Sequence, residues 1–179
     1  SGRLKTSMHY DRKGRLIEKN ENGDDEIHHK NLYEYDSKDN LIKKDDHFDN
    51  TTYYEYDPLV NKASCIDRPV IKYPNRNTLS VTTRSAYDPL GNEISSTDAN
   101  KNTTYYEYNV YGSPTKITYA DATIERYTYY KDGKLHSYID AEGITINYQY
   151  DVLGRIISKI YISKGNEIFA NESFKYNIF

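Results

Sequence analysis

The sequence has no tryptophan, one cysteine and one methionine, and hydrophobic residues make up only 36% of its 179 residues. A single cysteine excludes an internal disulfide, so Cys65 neither requires nor rules out secretion. No apolar run approaches the length of a membrane span. The net charge of -3 gives no basic footprint for nucleic acid. We therefore expect neither nucleic acid nor a membrane span among the partners.

Tyrosine is what the sequence has instead, with 21 residues of that type alongside many isoleucines and threonines. Disordered chains are poor in aromatic and β-branched residues, so this composition predicts a folded protein. Because other apolar residues are scarce, most of its core must be tyrosine.

The tyrosines recur in couplets. The second tyrosine of each couplet, here called the anchor, is Tyr10, Tyr35, Tyr56, Tyr87, Tyr108, Tyr129, Tyr150 or Tyr176, and the intervals are 25, 21, 31, 21, 21, 21 and 26 residues. Two residues before each anchor stand Met8, Tyr33, Tyr54, Ser85, Tyr106, Tyr127, Tyr148 and Phe174. A spacing of two places both side chains on one face of a strand. The couplets therefore predict strands in a repeat of about 21 residues.

A turn signal follows the couplets. The residue after the anchor is Asp11, Asp36, Asp57, Asp88, Asn109, Tyr130 or Asp151, and three residues later stand Gly14, Asp39, Val60, Gly91, Gly112, Gly133 or Gly154. Asp or Asn at the first position and Gly at the fourth are typical of a type I turn. We expect distorted turns where Asn109 and Tyr130 replace the Asp, and where Asp39 and Val60 replace the Gly.

A returning strand and a second turn complete each unit, as at Leu135 followed by residues 140–143. About 14 strands would form a ribbon about 65 Å long and about 23 Å tall. Open sheets this wide curl. The predicted fold class is all-β, with antiparallel up-and-down β-hairpin repeats that form a curled, solenoid-like sheet.

The segment Tyr148-Gln149-Tyr150-Asp151, followed by Gly154-Arg155-Ile156, resembles the Y-x-Y-D-x-x-G-R-L signature of the YD or RHS repeat family, as does Tyr10-Asp11 with Gly14-Arg15-Leu16. That family includes bacterial Rhs polytoxins, the B and C components of Tc toxins, wall-associated proteins and teneurins. The resemblance recurs in most units. It implies a segment of a cocoon, a strip of β-sheet wound around an enclosed toxic polypeptide.

The resemblance gives the repeat-motif positions a structural role. They are Tyr10, Asp11, Gly14, Arg15, Tyr33, Tyr35, Asp36, Tyr54, Tyr56, Asp57, Tyr87, Asp88, Gly91, Tyr106, Tyr108, Gly112, Tyr127, Tyr129, Gly133, Tyr148, Tyr150, Asp151, Gly154, Arg155 and Tyr176. We expect the repeat array over residues 8–177, with an irregular insertion at 62–82. Residues 1–7 resemble a tag scar or partial repeat, and 178–179 a truncated tail.

The long interval between Tyr56 and Tyr87 is the largest departure from the repeat. Pro69 and Pro74 oppose a regular central strand, and positive charge gathers at Arg68, Lys72, Arg76 and Arg84. Residues 22–30 give a similar insertion. Both are interpreted as solvated surface loops, with contact to cargo or a partner as the alternative.

Other candidate chemistry is outweighed by plainer interpretations. Asp88-Pro89-Leu90-Gly91 superficially resembles the family's autoproteolytic motif but sits at an ordinary turn position. His28 and His29 would face opposite sides of a strand, and a loop pair is favoured over a metal site. Cys65 has no neighbouring signature of a nucleophile. The acidic runs at 24–26 and 45–46 are interpreted as solvated.

The sequence thus favours a structural scaffold, a wall segment of an RHS-type shell around a toxin or other polypeptide. The alternative is a carbohydrate-binding module in which Tyr106, Tyr127 and Tyr148 stack on a cell-surface glycan. An enzyme and a cofactor are not expected. The partners would be the rest of the shell and the enclosed polypeptide, and open sheet edges favour self-association. The family resemblance alone implies a secreted or cell-surface bacterial protein.

Overall fold

The computed structural model describes residues 5–22, 28–48, 50–69 and 80–177. The described residues form one 15-stranded sheet in which the strands follow chain order. The strands are β1 (Lys5–Tyr10), β2 (Leu16–Asn22), β3 (His28–Tyr35), β4 (Leu41–Asp45), β5 (Thr51–Tyr56), β6 (Ala63–Pro69), β7 (Ser80–Tyr87), β8 (Glu93–Thr97), β9 (Thr103–Tyr108), β10 (Pro114–Thr118), β11 (Ile124–Tyr129), β12 (Leu135–Ile139), β13 (Thr145–Tyr150), β14 (Ile156–Ile162) and β15 (Ile168–Ser173). The all-β hairpin fold is confirmed, with one strand more than predicted. Among the described residues, none forms a helix that could cross a membrane.

The sheet divides into two compact units. Unit 1 comprises Ser1–Gly91 and Ser96–Lys101, and unit 2 comprises Asn92–Ser95 and Asn102–Phe179. Strands β1 to β7 belong to unit 1 and β9 to β15 to unit 2, while β8 has residues in both. Within each unit, the paired strands are antiparallel neighbours in sequence. Each unit is therefore a run of hairpins.

The turns after the anchors share one geometry. After β13, the Gly154 amide donates to the Asp151 carbonyl at 2.9 Å, and the Asp151 amide donates to the Arg155 carbonyl at 2.9 Å. A residue with positive φ closes all seven of these turns, at the Gly154 position in six of them and one residue later in the other, namely Gly14, Asp39, Asn61, Gly91, Gly112, Gly133 and Gly154. The predicted turn chemistry is confirmed at these positions.

Three of the turns expected to be distorted are regular, so that expectation was wrong for them. The turns at Asp39, Asn109 and Tyr130 keep the same pair of main-chain hydrogen bonds. The fourth turn differs, because Asn61 rather than Val60 takes the left-handed position, with φ +54. There the Asn61 amide donates to the Asp57 carbonyl and the turn is one residue longer.

A bulge follows every such turn whose pairing is described. In β14, Ile156 pairs with Tyr150 and Ser158 pairs with Gln149, so Ile157 is skipped. The same irregularity occurs at the anchors Tyr10, Tyr35, Tyr56, Tyr108 and Tyr129. A bulge bends its strand and interrupts the ladder locally. The repeat is therefore built with a fixed break at one end of each hairpin.

The sheet has little core. Among the described residues only Cys65, at 8% exposure, and Ser158, at 9%, are buried, and none of the side chains is fully enclosed. The strand β5 alternates, since Tyr54 and Tyr56 are half-buried while Tyr53 is 53% exposed. This alternation, repeated in β9 and β11, defines a tyrosine face that carries the couplets, and an opposite face. The predicted common face of the couplets is confirmed in these strands.

Several predicted features fall partly outside the described residues. Of the insertion at 62–82, residues 63–69 belong to β6 and residues 80–82 to β7, while 70–79, with Lys72, Pro74 and Arg76, lie outside the described residues. The acidic run at 24–26 also lies outside them. His28 and His29 belong to β3, so the expected loop pair was wrong. Phe174 and Tyr176 follow β15 instead of lying within it.

The turn between β10 and β11 offers a test of the left-handed position. Ala122 has φ +67 and donates its amide to the Tyr119 carbonyl at 3.0 Å. An L-residue without a supporting side-chain bond is strained there, so Ala122→Gly should raise the free energy of unfolding by about 0.5 to 1 kcal/mol in urea denaturation. The matched change Ala120→Gly, two residues earlier in the same turn, should lower it. Equal effects would contradict the assignment.

Candidate functional site

The anchor tyrosines bind the hairpin that precedes them. The Tyr150 hydroxyl donates to the Leu135 carbonyl at 3.0 Å, and the Tyr129 hydroxyl donates to the Pro114 carbonyl at 2.6 Å. Equivalent bonds of 2.8 to 3.0 Å join Tyr35 to Leu16, Tyr56 to Leu41, Tyr87 to Ala63, Tyr108 to Glu93 and Tyr176 to Ile156. We call this contact the hydroxyl lock.

The hydroxyl lock acts where the main-chain ladder stops. Between β12 and β13 the paired residues run only from Ser137 with Asn147 to Ile139 with Thr145, so Leu135 lies beyond the ladder. The Tyr150 side chain reaches past the end of this ladder to the Leu135 carbonyl. A phenol suits this position because its ring covers the neighbouring strand while its hydroxyl satisfies a backbone acceptor.

A cation lies over the ring of several anchors. The Arg155 guanidinium is 4.4 Å from the centre of the Tyr176 ring, and the Arg15 guanidinium is 4.9 Å from that of Tyr35. Lys62 lies over Tyr87 at 5.5 Å and Lys134 over Tyr150 at 5.9 Å. In each case the cation directly follows the left-handed turn residue of the preceding hairpin. This cation–π contact therefore joins one repeat to the next.

The turn aspartate holds that arginine in place. In the first hairpin Asp11 Oδ1 accepts the amides of Lys13 and Arg15, and Asp11 Oδ2 accepts Arg15 Nε at 2.6 Å. Asp151 and Arg155 repeat the arrangement, with 2.7 Å between Arg155 Nε and Asp151 Oδ2. The Arg15 amide first, and then the guanidinium, hold the pKa of Asp11 below its usual value, and Arg155 does the same for Asp151.

Known proteins resemble this chain in sequence motif and in fold. The family model described as RHS Repeat matches residues 87–124. This segment carries an RHS repeat. No curated protein matches it in sequence. Several solved structures match it in fold, among them the Photorhabdus luminescens Tc holotoxin pore with the mutation TccC3-D651A, TcdB2-TccC3, and TcdB2-TccC3 without its hypervariable C-terminal region.

These structural matches establish the RHS fold. Each has a TM-score of 0.74 at 16% sequence identity and covers 96% of this chain. The chain spans about 10% of the length of the matched chains. The recognition of an RHS repeat protein made from the YD motifs is confirmed.

The RHS turn tolerates the loss of its aspartate at Tyr130. Asp132 takes over part of the role, since its Oδ1 accepts the Lys134 amide at 3.2 Å and its carboxylate pairs with Lys134 Nζ. The Tyr130 hydroxyl donates to the Tyr148 carbonyl at 2.9 Å, and its ring meets the Tyr150 ring edge-on at 6.1 Å. The side chain thus packs on the next repeat.

The three tyrosines predicted to stack on a glycan, Tyr106, Tyr127 and Tyr148, are half-buried on the tyrosine face of unit 2. The Tyr127 hydroxyl donates to Glu125 Oε2 at 2.5 Å, and the Tyr127 ring lies 5.1 Å from that of Tyr138. Tyr106 pairs with Ile117, and Tyr148 with Lys159. Glycan stacking by these residues stays a prediction.

The remaining candidates have structural surroundings. Asp45 pairs with Lys43 at 2.9 Å, and Asp46 Oδ1 accepts two amides of its turn. Asp88 opens an ordinary turn, as predicted. Burial raises the pKa of the Cys65 thiol, which favours its neutral form. Within the described part of the chain, no group of three His, Cys, Asp or Glu side chains could hold a metal ion.

The tyrosines whose pKa is raised in the folded chain predict that stability depends on pH. Burial raises the pKa of Tyr35, Tyr56, Tyr129 and Tyr150, and burial followed by Glu125 raises the pKa of Tyr138 to about 12. A phenol whose pKa is raised by folding contributes its full stabilisation of the folded state below its unfolded pKa of about 10. That contribution is lost as the pH rises through the pKa of the folded state.

We therefore expect the urea midpoint to fall from about pH 10 upward. In absorbance at 295 nm, one group of phenols should ionise near that pH and a second group only as the chain unfolds. Lysines titrate in the same range. The contribution of the Tyr138 phenol is therefore the difference between wild type and Tyr138→Phe in how steeply the urea midpoint falls with pH. A single titration of all phenols in a chain that stays folded would contradict the prediction.

Proposed function

We propose that this chain is a wall segment of an RHS-type shell that encloses a polypeptide, a toxin or other cargo, and that it works by mechanical exclusion of solvent and proteases. The observation that carries the proposal is the hydroxyl lock. It joins each repeat to the preceding one in a single-layered sheet whose described side chains include none that is fully enclosed. Because each repeat contacts only its neighbours, such a sheet can be extended by further repeats into a continuous surface.

The structural matches support this proposal through their fold. The matched structures contain TccC3, which one of them shows in a Tc holotoxin pore, and another is TcdB2-TccC3 without a hypervariable C-terminal region. We infer that the present chain contributes the same kind of wall to a bacterial protein that is secreted or carried on the cell surface. The cargo is a polypeptide because a continuous sheet offers area and shape instead of a catalytic constellation.

A chimera tests the wall function directly. This chain would replace the segment of TcdB2-TccC3 on which its fold superposes, and trypsin digestion of the hypervariable C-terminal region would be timed. We expect digestion as slow as in the parent complex. The matched control carries Tyr108→Ala, Tyr129→Ala and Tyr150→Ala, which remove three hydroxyl locks, and it should be digested faster. An assembled chimera that exposes the region as fully as the control would refute the proposal.

The sheet edges suggest a second property. Within the described residues, β1 pairs only with β2 and β15 only with β14. All six side chains of each of these strands are exposed. Uncovered edges recruit further strands, so we propose that the isolated chain self-associates through them. Light scattering over a range of concentrations should show a mass that rises with concentration, and a strict monomer throughout would refute this.

A further inference from the structure

The tyrosine face of unit 2 contains a carboxylate surrounded by phenols. The Tyr127 hydroxyl donates to Glu125 Oε2 at 2.5 Å. Strand pairing sets Tyr138 opposite Tyr127, and burial, followed by Glu125, raises the pKa of both Tyr119 and Tyr138. Tyr106 and Glu125 lie on the two strands that flank β10, since both residues pair with Ile117. Tyr106 also contributes to the raised pKa of Tyr119. We call Glu125 and these four tyrosines the Glu125 patch.

The Glu125 patch has no cation of its own in the described part of the chain. Lys116, on the neighbouring strand β10, pairs with Glu107 at 2.7 Å, and the more distant Lys134 and Lys159 pair with Asp132 and Glu172. Glu125 takes part in none of the ion pairs that the described residues form. This differs from the anchor rings, where the chain supplies its own arginine or lysine.

Both components of an ammonium site are therefore present. The Tyr127 and Tyr138 rings form a tilted pair on a half-buried surface, with their centres 5.1 Å apart and their planes at 31°. The negative face of an aromatic ring attracts a cation, and a partly desolvated carboxylate adds a full opposite charge. The Tyr127 hydroxyl donates to Glu125 in the plane of its ring, so this bond does not cover the faces of the ring. Glu125 can accept further donors, because a carboxylate has about four lone-pair sites.

We propose that the Glu125 patch binds an alkylammonium group, supplied as a lysine side chain by the polypeptide that the shell encloses. The identity of that ligand rests on the proposed wall function, whereas the ammonium chemistry follows from the patch itself. A lysine ammonium is a compact charge on an apolar stem, so it can meet one carboxylate while the stem lies on the rings. A single contact of this kind is weak, and many such contacts would hold an unfolded cargo without fixing it.

The test is an NMR titration of the 179-residue chain at constant ionic strength. The probes are a lysine residue blocked at both termini, the same compound acetylated on Nζ, and tetramethylammonium chloride. We expect saturable shifts of tyrosine and isoleucine side-chain signals with blocked lysine, at a Kd of about 1 to 10 mM. The acetylated compound, which lacks the charge, should give none.

Two variants locate the binding. Glu125→Gln keeps an acceptor oxygen for the phenols but removes the charge, and should weaken lysine binding by about tenfold or more. The matched change Glu107→Gln, on the opposite face of the neighbouring couplet strand, should leave binding unchanged. Tyr138→Leu removes a ring while keeping Glu125, and should weaken binding as well, which covers the case in which Glu125→Gln does not fold.

The outcomes separate the sources of the ligand. No saturable response to blocked lysine, or equal binding by wild type and folded Glu125→Gln, would overturn the site. Binding of tetramethylammonium alone would overturn the assignment to a lysine side chain. The trypsin experiment on the chimera measures how fast the enclosed region is digested, and it does not measure ammonium binding. Failure of the ammonium site and failure of the wall function therefore give different results.

Discussion

Tyr129→Ala should lower the free energy of unfolding by about 2 to 3 kcal/mol, and Tyr129→Phe by about 1 kcal/mol. The phenylalanine variant keeps the ring but loses the bond of 2.6 Å to the Pro114 carbonyl. The alanine variant loses the half-buried ring too, and with it the cover over the end of the neighbouring strand pair. The ring is only partly buried, so the loss stays below that for a core aromatic.

Urea denaturation followed by circular dichroism measures both changes. Tyr105→Phe serves as the control, because that ring is 56% exposed on the opposite face, and its effect should stay within about 0.5 kcal/mol. If Tyr129→Phe were as harmless as Tyr105→Phe, the hydroxyl lock would contribute nothing to stability. The tyrosine repeat would then be explained by ring packing alone.

The couplets allowed the strands and their common face to be predicted from sequence. A separation of two residues, as between Tyr127 and Tyr129, has one meaning in an extended chain, because alternate side chains share a face. The turns were predictable for a similar reason. Asp151 followed three residues later by Gly154 combines a side chain that accepts turn amides with a residue that tolerates positive φ.

The hydroxyl lock could not be predicted, because it depends on register. The acceptor of Tyr129 is Pro114, a residue with no special side-chain chemistry, and its carbonyl lies beyond the ladder between β10 and β11, which begins at Lys116. A signal was present in retrospect, since several anchors reach an acceptor 15 residues back, as Tyr56 does to Leu41. That regularity becomes meaningful only once the pairing of the strands is known.

The turn at Asp57 shows where counting residues fails. Val60 stands three residues after Asp57, but the β-branched side chain is unfavourable at positive φ, whereas Asn61 tolerates it. The chain therefore extends the turn by one residue and places Asn61 in the left-handed position. Attention to which residue tolerates that backbone, instead of to fixed spacing, would have predicted the longer turn.

The Glu125 patch was also missed, although Tyr106 and Tyr127 had been singled out. Sequence reasoning considered these residues as equivalent members of different repeats. The structure joins them to Tyr138 and Glu125, which hold no motif position, because strand pairing brings side chains from β9, β10, β11 and β12 onto one surface. A repeat motif identifies only the residues that the repeats share, so it does not identify residues such as Glu125 and Tyr138 that occur in one repeat.

Gly154→Val should lower the free energy of unfolding by about 2 to 3 kcal/mol, because a β-branched residue at φ +80 is strongly strained. A Cβ at that position would also lie 2.9 Å from Lys134 Cε. Lys134 can move, but it then leaves its place over the Tyr150 ring and weakens the contact between two repeats.

Gly133→Val is the matched control, since Gly133 has φ +85 and a Cβ added there would meet no other atom within 4 Å. Both variants should lose the backbone contribution in urea denaturation, and the excess loss in Gly154→Val measures the displacement of Lys134. If Gly133→Val were neutral, the left-handed turn position would not limit the sequence. The recurrence of glycine after the couplets would then need a cause outside the turn, such as contact with another part of the protein.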